Sequence, residues 1–551
     1  MEMNIEESSI STLEQMRLRS NARVSTWKDS PDDKVAAAAN APPPMRRRRQ
    51  HLDILECVKK LLLCIAILVV FSFMGKERPN KSKETELENS ERCDLTSYPL
   101  WRLPQLKELD LSSCDDNLNL PDDSSIWSNL SSLTKLDLNN NQLTSLPSSM
   151  QSMPSLEILF LSENKFEVIP ALIGKLQKLR VLSLRGNVIT DLSSVNLPTA
   201  TLEWLILTNN RIQTIDTNIK DLTFLKKLML SHNNISVLPS ELGDCHNLEL
   251  VRLADNNIQT VPDSVLTLSK LAWISLSGNP ISINTYTKEP KVIIESELEI
   301  DETDILGSGA SGKVYRGKYK GEDVAVKIFK AMAKGSDGNS KDEAKINSLI
   351  ETPHAISAIG VIPAPKLDKN YQGMKYKGMV MKLLSGTYPM GTVPNFRTVT
   401  RDEGPAPHAT NLSFQEVLGA IWNIASALEY IHSVGVCHGD IYLHNILRDG
   451  EGVARLSDWG ASFSYDRGTE LASKTESIEV LAFGRLVQDL INWNLNTAAP
   501  DSTELGLFVG RAPFKDLLAS ILHPETSRRP TFAEIKKQLT SIPDFSSVQL
   551  Q

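Results

Sequence analysis

The middle of this chain contains a sequence repeat with a constant period of 23 residues. Asparagine recurs every 23 residues through seven copies, at Asn141, Asn164, Asn187, Asn210, Asn233, Asn256 and Asn279. Leucine and other apolar residues hold constant places around it, as in "LTKLDLNNNQLTSLP" and "LEILFLSENKFEVIP". A unit of this size cannot bury its apolar face alone, so neighbouring copies must stack on a shared core. The amide side chain can satisfy backbone groups at each turn, which explains its fixed place.

The pattern resembles the leucine-rich repeat, in which a short strand is followed by a helical or irregular return. "LKELDLSSC" is a degenerate first copy, with Cys114 in the place of the asparagine. Such a stack has a concave face of strands. Residues that flank the inward leucines vary along it, as at Glu249 and Arg252. We therefore expect this face to bind a protein ligand.

A glycine-rich segment opens the second half of the chain. "LGSGASGKVYRGKY" places Gly307, Gly309 and Gly312 in a G-x-G-x-x-G pattern, followed by Val314. Alone this signal is weak, because dinucleotide-binding folds share it. The β-branched segment "GEDVAVKIFK" follows, with Lys327 fifteen residues after the last glycine. A glycine hairpin followed by a strand lysine resembles the protein kinase family.

Further landmarks of that family follow in order. Glu343 opens an apolar helical pattern, and a long amphipathic helix leads into "VCHGDIYLHNIL", which contains Asp440 and Asn445. "LSDWGAS" then places Asp458 before Trp-Gly, and "SRRPTFAEIKKQL" contains Arg529. The resemblance covers about 230 residues and implies a fold of two lobes, one rich in strands and one in helices.

The resemblance also implies a role for each residue in phosphoryl transfer from ATP with Mg²⁺. The glycine loop and Val314 would cover the nucleotide, and Lys327, held by Glu343, would bind its phosphates. The metal ligands would be Asn445 and Asp458. Asp440 would be the catalytic residue that accepts the proton of the substrate hydroxyl.

The catalytic loop departs from the common pattern at two positions. Gly439 replaces an arginine that contacts a phosphorylated activation loop in many kinases, and Tyr442 replaces a lysine that neutralises the transferred phosphoryl group. We expect His444 or Lys313 to supply that charge instead. The loop is similar to that of leucine-rich-repeat kinases of bacteria, algae and other protists, which implies serine/threonine specificity.

The activation segment is short and contains no Ala-Pro-Glu. Arg529 therefore lacks its usual partner, and we expect Glu470 or Glu476 to replace it. These departures leave two alternatives to an active protein kinase. One is a pseudokinase that scaffolds signalling partners, and the other is a small-molecule phosphotransferase.

One apolar run, "LLLCIAILVVFSFMG" at 61–75, lies between lysines. As a helix it would reach about 22 Å, against the roughly 30 Å hydrocarbon core of a bilayer. Snorkelling lysines can close that gap, so we predict a single transmembrane helix. The arginines before it would place everything downstream across the membrane by the positive-inside rule. ATP is cytosolic, however, so we expect the repeats and the kinase domain together on the cytosolic side.

The fold class predicted is a multidomain chain: an α/β leucine-rich-repeat solenoid, a bilobal α+β protein kinase domain, and a disordered N-terminus with one transmembrane helix. A net charge of −8 provides no basic footprint for nucleic acid. The six cysteines are scattered, and we expect unpaired thiols. The alternative is a bridge between Cys93 and Cys114, which would form in an oxidising compartment. Oligomeric state is not predicted. The predicted segments are a disordered basic segment at 1–60, the membrane helix at 61–75, a linker at 76–99, repeats at 100–284, a linker at 285–299, the kinase domain at 300–543 and a tail at 544–551.

Overall fold

The architecture was obtained as a computed structural model, which describes residues 93–548 apart from 115–117, 194–195, 283–288, 310, 331–337, 367, 372, 408, 496–500 and 547. These residues belong to one compact unit that spans Leu87–Gln551. The predicted disordered segment and membrane helix at 61–75 lie outside the described residues. Within the described part of the chain, no helix has the length and apolar character needed to cross a membrane.

The repeats form one sheet of eight parallel strands in chain order. Each strand has three residues, and its central leucine, valine or isoleucine points into the core. The constant step of the sequence thus becomes a constant register between neighbouring strands. The strands are β1 (Glu108–Asp110), β2 (Lys135–Asp137), β3 (Ile158–Phe160), β4 (Val181–Ser183), β5 (Trp204–Ile206), β6 (Lys227–Met229), β7 (Leu250–Arg252) and β8 (Trp273–Ser275).

The returns on the convex side are short helical turns that begin after proline or aspartate. Two are α-helical, α1 (Ser124–Asn129) and α2 (Asp263–Leu266). The others are 3-10 turns at Ser148–Ser152, Ala171–Lys175, Thr217–Asp221 and Ser240–Asp244. Leucines from strands and returns fill one continuous core along the stack.

The repeated asparagines link neighbouring repeats, as their fixed spacing predicts. Asn210 donates from Nδ2 to the carbonyls of Leu184 (2.9 Å) and Leu207 (3.0 Å), and its Oδ1 accepts from the Ile189 amide at 3.1 Å. One buried side chain therefore satisfies backbone groups of two successive turns.

At the start of the stack, Cys93 and Cys114 form a disulfide. The expectation of unpaired thiols is wrong for this pair, because the degenerate first repeat brings the two residues together with a Cα separation of 5.6 Å. Cys245 and Cys437 are buried free thiols, as expected.

A second sheet follows, in the order β9-β10-β11-β13-β12 with every neighbouring pair antiparallel. Residues of this sheet, among them Phe329 and Met379, share a core with Ala344 of α3 (Ser340–Asn347), which begins after the N-cap Asn339. The strands are β9 (Leu298–Ser308), β10 (Gly312–Tyr319), β11 (Glu322–Phe329), β12 (Ala358–Pro363) and β13 (Tyr376–Lys382).

The remainder is mainly helical and packs around the buried helix α4 (Phe414–Ser433), which Ser413 and Glu416 cap as a reciprocal pair. Short strands Ile446–Arg448 and Ala454–Leu456 pair beside it. The other helices are α5 (Glu470–Leu495), α6 (Asp501–Val509), α7 (Ala512–Ile521) and α8 (Phe532–Ser541).

Helix α5 begins at Glu470, where "ELASKTE" is helix-forming and contains the Glu470–Lys474 ion pair one turn apart. The expected tail contains Phe545, which is fully buried against the last helices.

Candidate active site

The glycine segment forms the turn between β9 and β10. Val314 lies opposite Lys327 in the register of β10 and β11. A Cβ added to Gly312 would lie 2.4 Å from the Ile328 carbonyl oxygen, so the strand needs glycine there. A Cβ at Gly307 or Gly309 would meet nothing within 4 Å. The turn therefore leaves open space beside its backbone.

Lys327 connects three elements. Its Nζ is ion-paired with the buried carboxylate of Glu343 on α3 and lies 3.9 Å from Oδ1 of Asp458. Burial alone would lower the pKa of Lys327, but the charges of Glu343 and Asp458 outweigh it and raise that pKa. The ammonium group is thus charged and fixed, while the Asp458 side chain is 54% exposed.

Asp440 and Asn445 face each other in the catalytic loop. Nδ2 of Asn445 donates to Oδ2 of Asp440 at 2.7 Å and to its backbone oxygen at 2.9 Å. The five-residue spacing between them closes a small loop, which fixes the direction of the Asp440 carboxylate. Asp458 takes a left-handed backbone conformation (φ 57°) and caps the turn that follows it.

Hydrogen bonds to buried residues hold the backbone of the catalytic loop in place. His438 is fully buried, and its Nε2 contacts the Ser457 carbonyl at 2.9 Å. The Gly439 amide donates to Oε1 of Glu479 on α5 at 2.5 Å. Glu479 also contacts Nε2 of His432 at 2.7 Å, so one buried carboxylate joins the loop to two helices.

Residue Tyr442, where many kinases have lysine, is buried rather than turned toward the cleft. Its ring stacks on Trp273 of β8, with centroids 4.4 Å apart and planes at 5°. His444 pairs with Asp402. Burial would lower the pKa of His444, but the hydrogen bond and charge of Asp402 raise it. His444 is therefore committed to a carboxylate, contrary to the expectation that it serves a phosphoryl group.

The expected partners of Arg529 are also wrong. Its guanidinium donates to backbone oxygens, among them Ser477 at 3.0 Å and, in the repeats, Ser269 at 2.9 Å. Glu470 instead pairs with Lys474, and Glu476 accepts from Tyr465. Burial lowers the pKa of Arg529 to about 10.

One functional residue was missed by reasoning from the sequence. Arg252 of β7, on the concave face of the repeats, is ion-paired with the carboxylate of Asp440 and donates from Nη1 to the Gly439 carbonyl at 2.7 Å. The sequence places Arg252 at a concave-face position but provides no signal that the two regions meet.

Of the predicted residues, the structure brings Lys327, Glu343 and Asp458 together at one point. It places Asp440 and Asn445 together at a second, in the catalytic loop. The five-stranded sheet and the mainly helical remainder correspond to the two lobes that the sequence predicts.

Comparison with known families agrees with this class. The family described as protein kinase domain matches residues 300–486. Leucine rich repeat matches at 104–166, 131–189, 200–258 and 225–281. The chain therefore contains a segment similar to the protein kinase domain and, before it, segments similar to leucine-rich repeats.

Curated relatives are similar over part of their length. A probable LIM domain-containing serine/threonine-protein kinase of Dictyostelium discoideum is 25% identical over 284 residues, covering 46% of this chain and 41% of the relative. The L-type lectin-domain containing receptor kinase S.6 of Arabidopsis thaliana is 26% identical over 225 residues, covering 39% and 31%. Stress-activated protein kinase alpha of Dictyostelium discoideum is 37% identical over 87 residues, covering 16% and 14%. The chain thus spans less than half of each of these relatives.

Proposed function

We propose that the chain is an ATP-dependent protein kinase that phosphorylates serine or threonine hydroxyls. The observation that carries the proposal is the position of Lys327, which is ion-paired with Glu343 and 3.9 Å from Asp458. This arrangement connects the strand lysine, the helix glutamate and the metal-binding aspartate, as phosphoryl transfer requires. Relatives named as serine/threonine-protein kinases support the hydroxyl specificity.

The residues present fit ATP and Mg²⁺. Backbone amides of an unobstructed glycine turn suit phosphate oxygens, and the charged Lys327 suits the same anion. Oxygen atoms of Asp458 and Asn445 are ligands of the kind that Mg²⁺ prefers. A bound Mg²⁺ would neutralise charge that develops on the phosphates.

In the proposed reaction, the substrate hydroxyl oxygen forms a bond to the γ-phosphorus of ATP, and the bond from that phosphorus to the ADP oxygen breaks. Asp440 accepts the hydroxyl proton, and Asn445 holds its carboxylate in position. Lys327 stabilises the phosphate charge, and Glu343 keeps the lysine in place.

The test is transfer of labelled phosphate by the purified full chain to a mixed protein substrate, with mass spectrometry of the product. Lys327→Met and Asp458→Asn should abolish transfer. Lys318→Met changes an exposed lysine of the same sheet and should retain it. Mg-ATP should also raise the melting temperature of the wild type but not of Lys327→Met. Equal transfer by the wild type and Lys327→Met would contradict the proposal, and ATP binding without transfer would favour a pseudokinase.

For location, we propose a single-pass anchor at 61–75 with the repeats and kinase domain in the cytosol. The apolar run between lysines supports an anchor, and the need for ATP supports the cytosolic side. The Cys93–Cys114 disulfide is the observation against the cytosolic side, because such bonds are more common in oxidising compartments. Carbonate extraction of membranes tests the anchor. Protease protection in intact cells tests the side, and protection of the kinase domain would support the proposal.

A further inference from the structure

From β3 to β8, the concave face of the repeats contacts the kinase domain of the same chain. Phe396, from a loop of that domain, lies between Phe160 and Trp204, with ring centroids 5.5 and 5.7 Å away. Met229, Leu250 and Trp273 pack within the apolar core of the helical lobe. The part of the expected ligand-binding surface between β3 and β8 is therefore already occupied, whereas Glu108 and Asp110 of β1 are exposed.

The contact reaches the catalytic base itself. Arg252 is 2% exposed, and its two terminal nitrogens bind the Asp440 carboxylate and the Gly439 carbonyl. Asn445 bonds the other carboxylate oxygen. A general base needs a free oxygen within hydrogen-bond reach of the proton it accepts. Because both oxygens are bonded and the guanidinium lies against one of them, the Asp440 carboxylate is blocked from a substrate hydroxyl.

The two unusual residues of the catalytic loop lie where the repeats touch it. A Cβ added to Gly439 would lie 2.7 Å from the Ile274 carbonyl oxygen of β8, so an arginine has no room there. Tyr442 stacks on Trp273, whose Nε1 donates to the Ile441 carbonyl at 2.9 Å. Glycine at 439 and tyrosine at 442 thus allow the catalytic loop to pack closely against the repeats.

The contact continues beyond the catalytic loop. Arg485 of α5 pairs with Glu249 at 3.1 Å, and the Gly278 amide donates to Asp342 of α3 at 2.8 Å. The Ser282 hydroxyl donates to the carbonyl of Ser464, in the segment after Asp458, at 3.2 Å. The repeats therefore bridge both lobes on the side where a protein substrate must reach Asp440.

We propose that the repeats are an intramolecular inhibitor of the kinase domain, with Arg252 occupying the catalytic base and excluding the hydroxyl substrate. The inference rests on the kinase function proposed above. Lys327 and Glu343 remain paired, so the resting chain still binds Mg-ATP. A protein that binds the concave face must displace the kinase domain, and its binding therefore activates the enzyme.

The test compares phosphate transfer to a protein substrate by the full chain and its variants. Arg252→Ala removes the group that blocks Asp440. Glu249→Arg replaces an ion pair with Arg485 by a repulsion between two positive charges. It therefore weakens the contact between the repeats and the kinase domain without changing a residue that touches Asp440. Both should raise transfer by roughly 5- to 150-fold, the usual range of coupling between sites. The affinity for Mg-ATP should not change.

Two control variants test whether a gain in transfer comes from the interface and depends on the kinase site. Arg211→Ala removes an exposed arginine of the same repeats and should leave transfer unchanged. Adding Lys327→Met to Arg252→Ala should abolish the gain. If wild type transfers phosphate and neither interface variant exceeds it, or if Arg252→Ala lowers transfer, inhibition by the repeats is overturned while the kinase function stands. If ATP binds but no variant transfers phosphate, both proposals are overturned.

Discussion

The indole of Trp273 and the phenol of Tyr442 stack with planes at 5° and centroids 4.4 Å apart, joining the last strand of the repeats to the catalytic loop. Both side chains are buried. A tyrosine at this position therefore serves the contact between domains, and the lysine usual in kinases would bury an ammonium group against an indole. Packing against the repeats therefore accounts for the tyrosine at this position.

The Tyr442 hydroxyl has no hydrogen-bond partner among the described residues, although it is buried. Tyr442→Phe removes that desolvated group and keeps the stacked ring. We expect it to stabilise the chain by about 1 kcal/mol. Tyr465→Phe is the matched control, because the Tyr465 hydroxyl donates to Glu476 at 2.6 Å, and its loss should destabilise. Urea unfolding of both variants measures the difference, and destabilisation by Tyr442→Phe would contradict the prediction.

Gly439→Ala should destabilise the chain. Gly439 has φ 76°, and an added Cβ would meet two carbonyl oxygens at 2.7 Å. Left-handed strain costs roughly 1–3 kcal/mol, and the close contacts add to that cost. Gly419→Ala is the control, since its Cβ would meet nothing within 4 Å in the middle of α4, and should stabilise by up to about 1 kcal/mol. If the melting temperature fell equally in both variants, the predicted difference between Gly439→Ala and Gly419→Ala would be wrong.

The repeats and the kinase fold could be predicted from sequence because both are local patterns. The asparagine step translates directly into strand register, and the strand that follows the glycine turn pairs with the strand that contains Lys327. The contact between Glu343 and Lys327 could be expected because the protein kinase family, which this part of the sequence resembles, pairs a helix glutamate with the strand lysine. In each case residues near in sequence, or a known order of elements, determine the geometry.

The contact of Arg252 with Asp440 could not be predicted in this way. The two residues are 188 positions apart, and no periodic pattern connects a repeat strand with a loop. The partners of Arg529 were missed for a related reason, because backbone carbonyls leave no signature in a sequence. The disulfide was missed because the fold of the first repeat, and not residue spacing, brings Cys93 to Cys114.

The His444–Asp402 pair predicts a dependence of stability on pH. The pKa of His444 is raised above its ordinary value of 6.5 in the folded chain. Its contribution is therefore fully present below pH 6.5 and is lost as pH rises through the higher folded pKa. His444→Ala should remove this component, of about 1.5–3 kcal/mol for a charged hydrogen bond. Unfolding free energies at several pH values check it, and parallel profiles for wild type and variant would count against it.

The asparagines that recur every 23 residues should stabilise the repeats through their buried hydrogen bonds. Asn210→Ala would leave the Leu184 and Leu207 carbonyls and the Ile189 amide without a side chain that now bonds all three in the core. Unpaired buried groups are costly, so we expect a loss of about 3 kcal/mol. Gln213→Ala alters a nearby exposed side chain and should change stability by less than about 0.5 kcal/mol. Urea midpoints followed by circular dichroism measure both. Asn210 bonds within the repeats, so an unchanged free energy of unfolding in Asn210→Ala would contradict the prediction.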